Sequence, residues 1–96
     1  MRLSRRAERD LEDIEEYLAR EAGINVAIRV VSDILERLAK LDGFLASAGT
    51  PRPELGTDIR SWPLGSYTAY YREKNREAEI ARIWHGSRDP DTLTME

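Results

Sequence analysis

Residues 66–85 read SYTAYYREKNREAEIARIWH and contain the two clearest strand patterns of the chain. The run Ser66–Arg72 is rich in Thr and Tyr, and Ala78–His85 is a mainly apolar run that Arg82 interrupts. Both compositions are typical of β-strands. Because only the polar turn Glu73–Glu77 separates the two runs, the strands are predicted to pair antiparallel.

A third strand is predicted immediately before this hairpin. It spans Asp58–Pro63 and ends at Pro63 and the Leu64–Gly65 turn, so the three strands form an antiparallel meander. Successive side chains of a strand point to opposite faces, and the middle strand therefore carries aromatic rings on both. One face holds Tyr67, Ala69 and Tyr71, and the other holds Thr68, Tyr70 and Arg72. We expect helices to cover one face, and the other to stay partly apolar and to bind a partner.

Two helices are predicted before the strands. Apolar residues recur at helical spacing over Ser4–Ala22 and again over Asn25–Leu41. Ser4 and Asn25 are suitable N-cap residues, and Gly23 ends the first helix. With about three residues between them, the helices are expected to pack as an antiparallel hairpin. Met1–Leu3 has room for a very short strand before the first helix.

The sequence as a whole predicts one α+β domain over residues 1–96, with a helix hairpin packed on a small antiparallel sheet. A chain of 96 residues can bury a single modest core. The segment Asp42–Thr57 contains several glycines and prolines, which favour a long irregular connection. Residues 90–96 are mainly polar, and we expect them to be frayed.

The composition excludes several functional classes. The chain has no cysteine, which excludes disulfide scaffolds, thiolate zinc sites and cysteine nucleophiles. His85 is its only histidine and has no carboxylate cluster beside it, so we expect neither a metal site nor a cofactor. The net charge of −3 argues against bulk nonspecific coating of DNA, and we expect no sequence-specific DNA binding by this chain. No apolar run approaches the ~20 residues of a membrane span, and the N-terminus lacks the apolar region of a signal peptide, so we expect a cytoplasmic protein.

Basic side chains recur in the predicted strands. They are Arg60, Arg72 and Arg82, with His85 and Arg88 following. An arginine inside an apolar strand needs either a partner or a solvent-facing side. Two interpretations stay open. The arginines either belong to a solvated sheet face and form ion pairs, or they form an anion-binding surface. Such a surface could bind RNA phosphates or an acidic protein segment. The candidate ion-pair partners are Glu54, Glu79 and Asp89.

Five segments, in order along the chain, are similar to those of a known group of proteins. They are AERDLEDIEEY at 7–17, which fits the pattern A-x-x-D-L-x-x-I-x-x-Y, PRPELG at 51–56, IRS at 59–61, GSYTAYYR at 65–72 and IARIWHGSRD at 80–89. Together they resemble the RelE/ParE superfamily of bacterial toxin–antitoxin toxins, most closely its ParE branch. The fold that this resemblance implies agrees with the predicted helix hairpin and meander.

The resemblance implies one of two activities. A ParE-like protein is the toxin of a type II toxin–antitoxin system, inhibits DNA gyrase and has no catalytic residues. The alternative is a RelE-like ribosome-dependent mRNA endoribonuclease, whose site on this chain would consist of Arg60, Arg72, Arg82 and His85. Because a guanidinium stays protonated, His85 alone in that set could transfer protons.

The resemblance also implies a protein partner, a cognate ParD-like antitoxin that neutralises the toxin. We expect an antitoxin segment with aliphatic anchors and acidic residues to lie across the groove beside the sheet. Its expected contacts on this chain are Arg60, Tyr70, Arg72, Arg82 and Trp84.

Overall fold

The computed structural model describes residues 1–43, 48–86 and 93–95, without the side chains of residues 42 and 43. Two helices pack on one face of a five-stranded sheet with the strand order β1-β5-β4-β3-β2. In chain order the elements are β1 (Arg2–Leu3), α1 (Arg5–Ala22), α2 (Ile24–Ala39), β2 (Thr50–Pro51), β3 (Arg60–Leu64), β4 (Tyr67–Lys74) and β5 (Glu77–His85). The predicted α+β class is confirmed.

The helix hairpin forms where the sequence predicts it, with a shorter connection. Ser4 caps α1, because its hydroxyl oxygen accepts a hydrogen bond from the backbone N–H of Ala7 at 3.0 Å. Gly23 alone joins the two helices, and its φ of +96° lies in the region that a residue without a Cβ adopts most easily. The second helix therefore begins at Ile24, one residue before the predicted cap Asn25.

The predicted antiparallel meander is present as β3, β4 and β5, with bounds that differ by one or two residues. Lys74 pairs with Glu77 at the end of the β4–β5 hairpin. Asn75 and Arg76 between them have φ values of 53° and 64°, the positive values that a tight type I′ hairpin turn needs at both central residues.

The sheet is not wholly antiparallel, since β1 pairs with β5 in parallel. Ser4 fixes this arrangement as the chain turns into α1. Its backbone N–H donates to the carbonyl of Ile80 at 2.9 Å, and its hydroxyl donates to the carbonyl of Ala81 at 3.0 Å. A strand of two residues is defined by such hydrogen bonds. It is too short for the sequence to show the alternation of apolar and polar residues that marks a longer strand.

The predicted connection Asp42–Thr57 is more regular than expected in its described part. Thr50–Pro51 forms β2 on the outer edge of β3, and Pro53–Leu55 forms a single 3₁₀ turn. A further 3₁₀ turn, Lys40–Gly43, follows α2. Residues 44–47 of this segment lie outside the described residues.

The two faces of the sheet are packed by different parts of the chain. The main core lies between the helices and the sheet and contains Ala69 and Tyr71 from β4. Tyr70 lies on the opposite face in a smaller cluster with Ile59 and Leu93. This alternation confirms the predicted distribution of β4 side chains.

The predicted frayed tail is wrong for residues 93–95. Leu93 is only 7% exposed and packs on Ile59 and Tyr70, and the carbonyl of Thr94 accepts a hydrogen bond from Arg82. The apolar side chains on this face of the sheet give Leu93 a place to be buried, which a single Leu in a polar tail does not indicate. Residues 90–92 and 96 lie outside the described residues.

The hydroxyl of Tyr71 lies in the core against the backbone of Gly49. A Cβ at residue 49 would stand 2.6 Å from this hydroxyl oxygen and 2.7 Å from the carbonyl oxygen of Ser61. Among the described residues the hydroxyl has no hydrogen bond of ordinary geometry. Burial raises the pKa of the Tyr71 hydroxyl, and the nearby backbone of Gly49 and the charge of Arg60 offset part of this effect.

We expect Tyr71→Phe to be at least as stable as the wild type at neutral pH and more resistant to alkali. A raised pKa in the folded state means that the unfolded chain loses this proton first, so Tyr71 costs stability as the pH rises above about 10. Urea unfolding at neutral and alkaline pH measures both effects. Tyr17→Phe, which removes an exposed hydroxyl, is the control. An equal alkaline loss in Tyr71→Phe and wild type would contradict the prediction.

Candidate partner-binding site

A groove of about 1130 Å³ opens between the two helices and one end of the sheet. α1 and α2 form its sides, and the β3–β4 turn and the last residues of β5 complete it. Its apolar lining comes from all of these elements and includes Ile14, Leu18, Val30, Leu64, Tyr67, Ile83 and Trp84. A concave site with this lining fits aliphatic side chains from a partner.

The rim of the groove on the α1 side is acidic. Asp13, Glu16 and the ring of Tyr17, which is 54% exposed, line it. Glu16 pairs with Arg20 at 3.3 Å, whereas Asp13 has no ion-pair partner in the described part of the chain. Among the described residues, the groove is lined by four acidic residues and by the two basic residues Arg20 and Arg29, so its net charge is negative and attracts cationic groups.

Asp10, which lines the groove, forms a buried ion pair with Arg82. The Nε of Arg82 donates to one carboxylate oxygen of Asp10 at 2.8 Å, and its Nη2 donates to the other at 3.2 Å. Asp10 is 7% exposed and Arg82 is 3% exposed. The remaining guanidinium nitrogen, Nη1, donates to the carbonyl of Thr94 at 2.6 Å. This bidentate geometry gives the strongest contact between a carboxylate and a guanidinium group.

Asp10 also takes the place of a neighbouring strand at the edge of β5. The short β1 pairs with β5 only as far as Ile80. Beyond it, the backbone N–H of Ile83 donates to the carboxylate of Asp10 at 3.0 Å. The helix thereby satisfies a backbone group that would otherwise be left unpaired at a buried edge.

A register shift in β5 brings Arg82 into this position. Tyr70 pairs with Arg82 and Tyr71 with Ile80, so Ala81 is an extra residue of the bulge type. The guanidinium of Arg82 also lies 5.1 Å from the ring centre of Trp84, at cation–π distance. Arg82 therefore joins α1, the tail and the Trp84 ring.

The structure gives Arg82 a structural role where the sequence predicted a partner contact. Its side chain is buried and its hydrogen bonds point inward. Its ion-pair partner is Asp10, 72 residues away in the sequence, instead of Glu54, Glu79 or Asp89. The signal that could have identified Asp10 is its place on the apolar stripe of α1, three residues after Ala7 and four before Ile14, because a carboxylate in such a place needs a buried partner.

The other predicted contacts are spread over both faces of the sheet. Arg60 lies opposite Tyr71 on the helix side and donates to the carbonyl of Gly49 at 2.8 Å. Tyr70 is buried on the opposite face. Arg72 points to that same face and is half-buried, and its Nε has no hydrogen-bond partner among the described residues. Trp84 packs on the same face as Tyr70, and it is the one of the five that also borders the groove, at the end of the sheet.

The four residues of the alternative nuclease site do not meet. Arg60 and Arg72 point to opposite faces of the sheet, and Arg82 is held by Asp10. His85 pairs with Tyr67, whereas Arg60 pairs with Tyr71. Tyr67 and Tyr71 are four residues apart, which is about 13 Å along β4. The ring of His85 packs edge-to-face on Tyr67 at a centroid distance of 5.0 Å.

Comparison with known proteins identifies the family. Residues 1–90 match the model of the family described as the ParE toxin of the type II toxin–antitoxin system, parDE. The chain belongs to the ParE toxin family. It is also similar to a chain of the solved structure of the chromosomal ParDE TA system from P. aeruginosa, with 28% sequence identity and a TM-score of 0.79. That match covers 88% of this chain and 91% of the other. No curated protein matches the sequence.

The resemblance to the ParE branch is thus confirmed, and this ParE-family chain is the toxin of a type II toxin–antitoxin system. Within the described residues, every helix is too short or too polar to cross a membrane.

We expect Asp10→Ala to destabilise this ParE-family protein by about 3–5 kcal/mol, because it leaves a buried guanidinium without its counter-charge. The double variant Asp10→Leu/Arg82→Met should recover part of the loss, since it removes both charges but still leaves the N–H of Ile83 without its acceptor. Glu16→Ala breaks an exposed pair and should cost at most about 1 kcal/mol. Urea unfolding measures all three. Similar losses in Asp10→Ala and Glu16→Ala would contradict the structural role of the buried pair.

Proposed function

We propose that this ParE-family toxin inhibits DNA gyrase in the cytoplasm and is neutralised by a ParD-like antitoxin that docks in the groove between the helices and the sheet. Family membership supports the toxin role. The observation that favours gyrase inhibition over RNA cleavage is the dispersal of Arg60, Arg72, Arg82 and His85.

RNA cleavage requires groups that remove a proton, donate a proton and stabilise a phosphate, all around one reacting phosphate. On this chain the only histidine packs on Tyr67, and Arg82 forms a buried ion pair with Asp10. Arg60 and Arg72 cannot reach the same phosphate from opposite faces of the sheet. A toxin that acts by binding needs no such convergence.

The groove suits an antitoxin segment with aliphatic anchors. Its lining is largely apolar, whereas its α1 rim carries Asp13 and Glu16. We therefore expect basic antitoxin residues beside α1, in addition to the acidic residues that the sequence predicts beside the arginines of the sheet. Trp84 in the groove is the proposed anchor contact. Arg72, which lies on the same face of the sheet as Trp84, is the proposed contact for an acidic residue of the antitoxin.

Arg60, Tyr70 and Arg82 have other roles in this arrangement. Arg60 binds the backbone of Gly49, Tyr70 lies beneath Leu93, and Arg82 pairs with Asp10. They contribute to antitoxin binding by shaping the surfaces around Trp84 and Arg72.

We expect His85→Ala to remain toxic and to inhibit gyrase supercoiling, because binding to gyrase requires no proton transfer. If the chain were a nuclease, removing its only candidate acid–base group would lower cleavage by roughly 10²–10⁴-fold. A gyrase supercoiling assay and a translation-dependent mRNA cleavage assay, both on purified wild type and variant, separate the two activities. Circular dichroism confirms that the variant is folded. A folded variant that has lost its toxicity would refute gyrase inhibition in favour of RNA cleavage.

We expect Asp13→Lys to weaken binding of the antitoxin by about tenfold at low salt, and by less at high salt, since it reverses an unpaired charge on the groove rim. The matched control is Glu12→Lys, which makes the same change at an exposed residue of α1 outside the groove lining. The antitoxin for this test would be identified as the product of an adjacent gene that neutralises this toxin when both are expressed in cells. Titration calorimetry measures the affinities, and equal weakening by both variants would contradict docking in the groove.

A further inference from the structure

The second helix carries an exposed aliphatic strip on the side that does not line the groove. Ile24, Ile28 and Leu35 are 56%, 54% and 38% exposed. Their spacings of four and seven residues put them in one line along the helix. The groove is lined instead by Val30, Asp33 and Ile34 on the opposite flank of α2, and Arg29 lies at the boundary between this flank and the solvent side of the strip. The strip is therefore a separate surface.

The neighbours of the strip on the solvent side are uncharged. They are Asn25, Ser32 and Ala39, all exposed. Charged residues make up 34% of the chain, so a strip of this length without a charge is unusual on this molecule. Depletion of charge around exposed aliphatic side chains is the composition expected at the centre of a protein interface.

We propose that this strip is a contact between two copies of the chain, which pair their α2 helices antiparallel about a two-fold axis near Ser32. In that register Ile28 of one copy faces Leu35 of the second copy, and Ile24 faces Ala39. A two-fold contact must be complementary to itself. The absence of charge along the strip removes the repulsion that pairing of identical surfaces often causes.

Two charges beside the strip specify a second copy as the occupant. Arg29 and Glu36 are exposed, lie two turns apart on the same side of α2, and have no ion-pair partner within the described ranges. Antiparallel pairing brings Arg29 of each copy within reach of Glu36 of the other, which makes two reciprocal ion pairs. Parallel pairing about a two-fold axis would put this flank of the two copies on opposite sides of the contact, so neither ion pair could form.

The size of the strip determines the strength of the association. The 16 residues of α2 extend over about 24 Å, and one helix face buries less area than a typical stable dimer. The pairing is therefore weak and depends on protein concentration. The inference does not depend on gyrase or the antitoxin, because only the isolated chain takes part.

Sedimentation velocity of the purified full chain over a series of concentrations tests the pairing. We expect a reversible monomer–dimer equilibrium that Ile28→Glu weakens by at least about tenfold, through loss of apolar contact and repulsion across the axis. Thr57→Glu adds the same charge at an exposed residue outside α2 and should leave the equilibrium unchanged. Circular dichroism excludes unfolding of each variant.

A charge swap distinguishes self-pairing from any other use of the strip. Arg29→Glu and Glu36→Arg should each weaken the dimer several-fold, and the double variant should restore it, because the reciprocal pairs re-form with exchanged signs. A chain that stays monomeric at all concentrations would overturn the proposal. So would a dimer that Ile28→Glu does not affect or that the double swap does not restore. A monomeric chain in which Ile28→Glu weakens antitoxin binding would overturn it in favour of the antitoxin as occupant.

Discussion

The ion pair between Asp10 and Arg82 connects three parts of this small toxin. It joins α1 to the last strand, and through Thr94 it joins the strand to the C-terminal segment. A buried pair adds little net stability compared with apolar residues of the same size, but an unpaired member is costly. Arrangements that separate Asp10 from Arg82 are therefore strongly disfavoured, and α1 keeps one position along the edge of β5.

This constraint also positions the groove. Asp10 accepts the N–H of Ile83 where β1 has ended, so α1 closes the edge of β5 at the point where Ile83 and Trp84 line the groove. The charge of Arg82 is used internally, whereas Asp13 on the next turn of α1 remains available at the rim. The groove consequently combines an apolar lining with a negative edge, and that combination decides the chemistry of its proposed occupant.

The sequence was sufficient to predict those helices and strands in which apolar residues recur at a regular spacing. Both helices and the three-stranded meander repeat apolar residues over two or more periods, and their bounds were predicted to within a few residues. Of the two-residue strands at the edges of the sheet, β1 was anticipated at Met1–Leu3, whereas β2 was not, because it is defined only by its pairing with β3. Burial of Leu93 and the partner of Arg82 depend on contacts between distant parts of the chain, which no local pattern contains.

The candidate site depends on strand register more than on residue type. Continued alternation from the buried Ile80 would point Arg82 into the helix-side core and Ile83 away from it. The extra residue at Ala81 reverses both, so Ile83 enters the core and Arg82 reaches Asp10. To stabilise a phosphate, the guanidinium would first have to leave that carboxylate, at a cost of several kcal/mol. A local bulge thus gives Arg82 a structural role, although its position in the sequence alone would equally fit a nuclease.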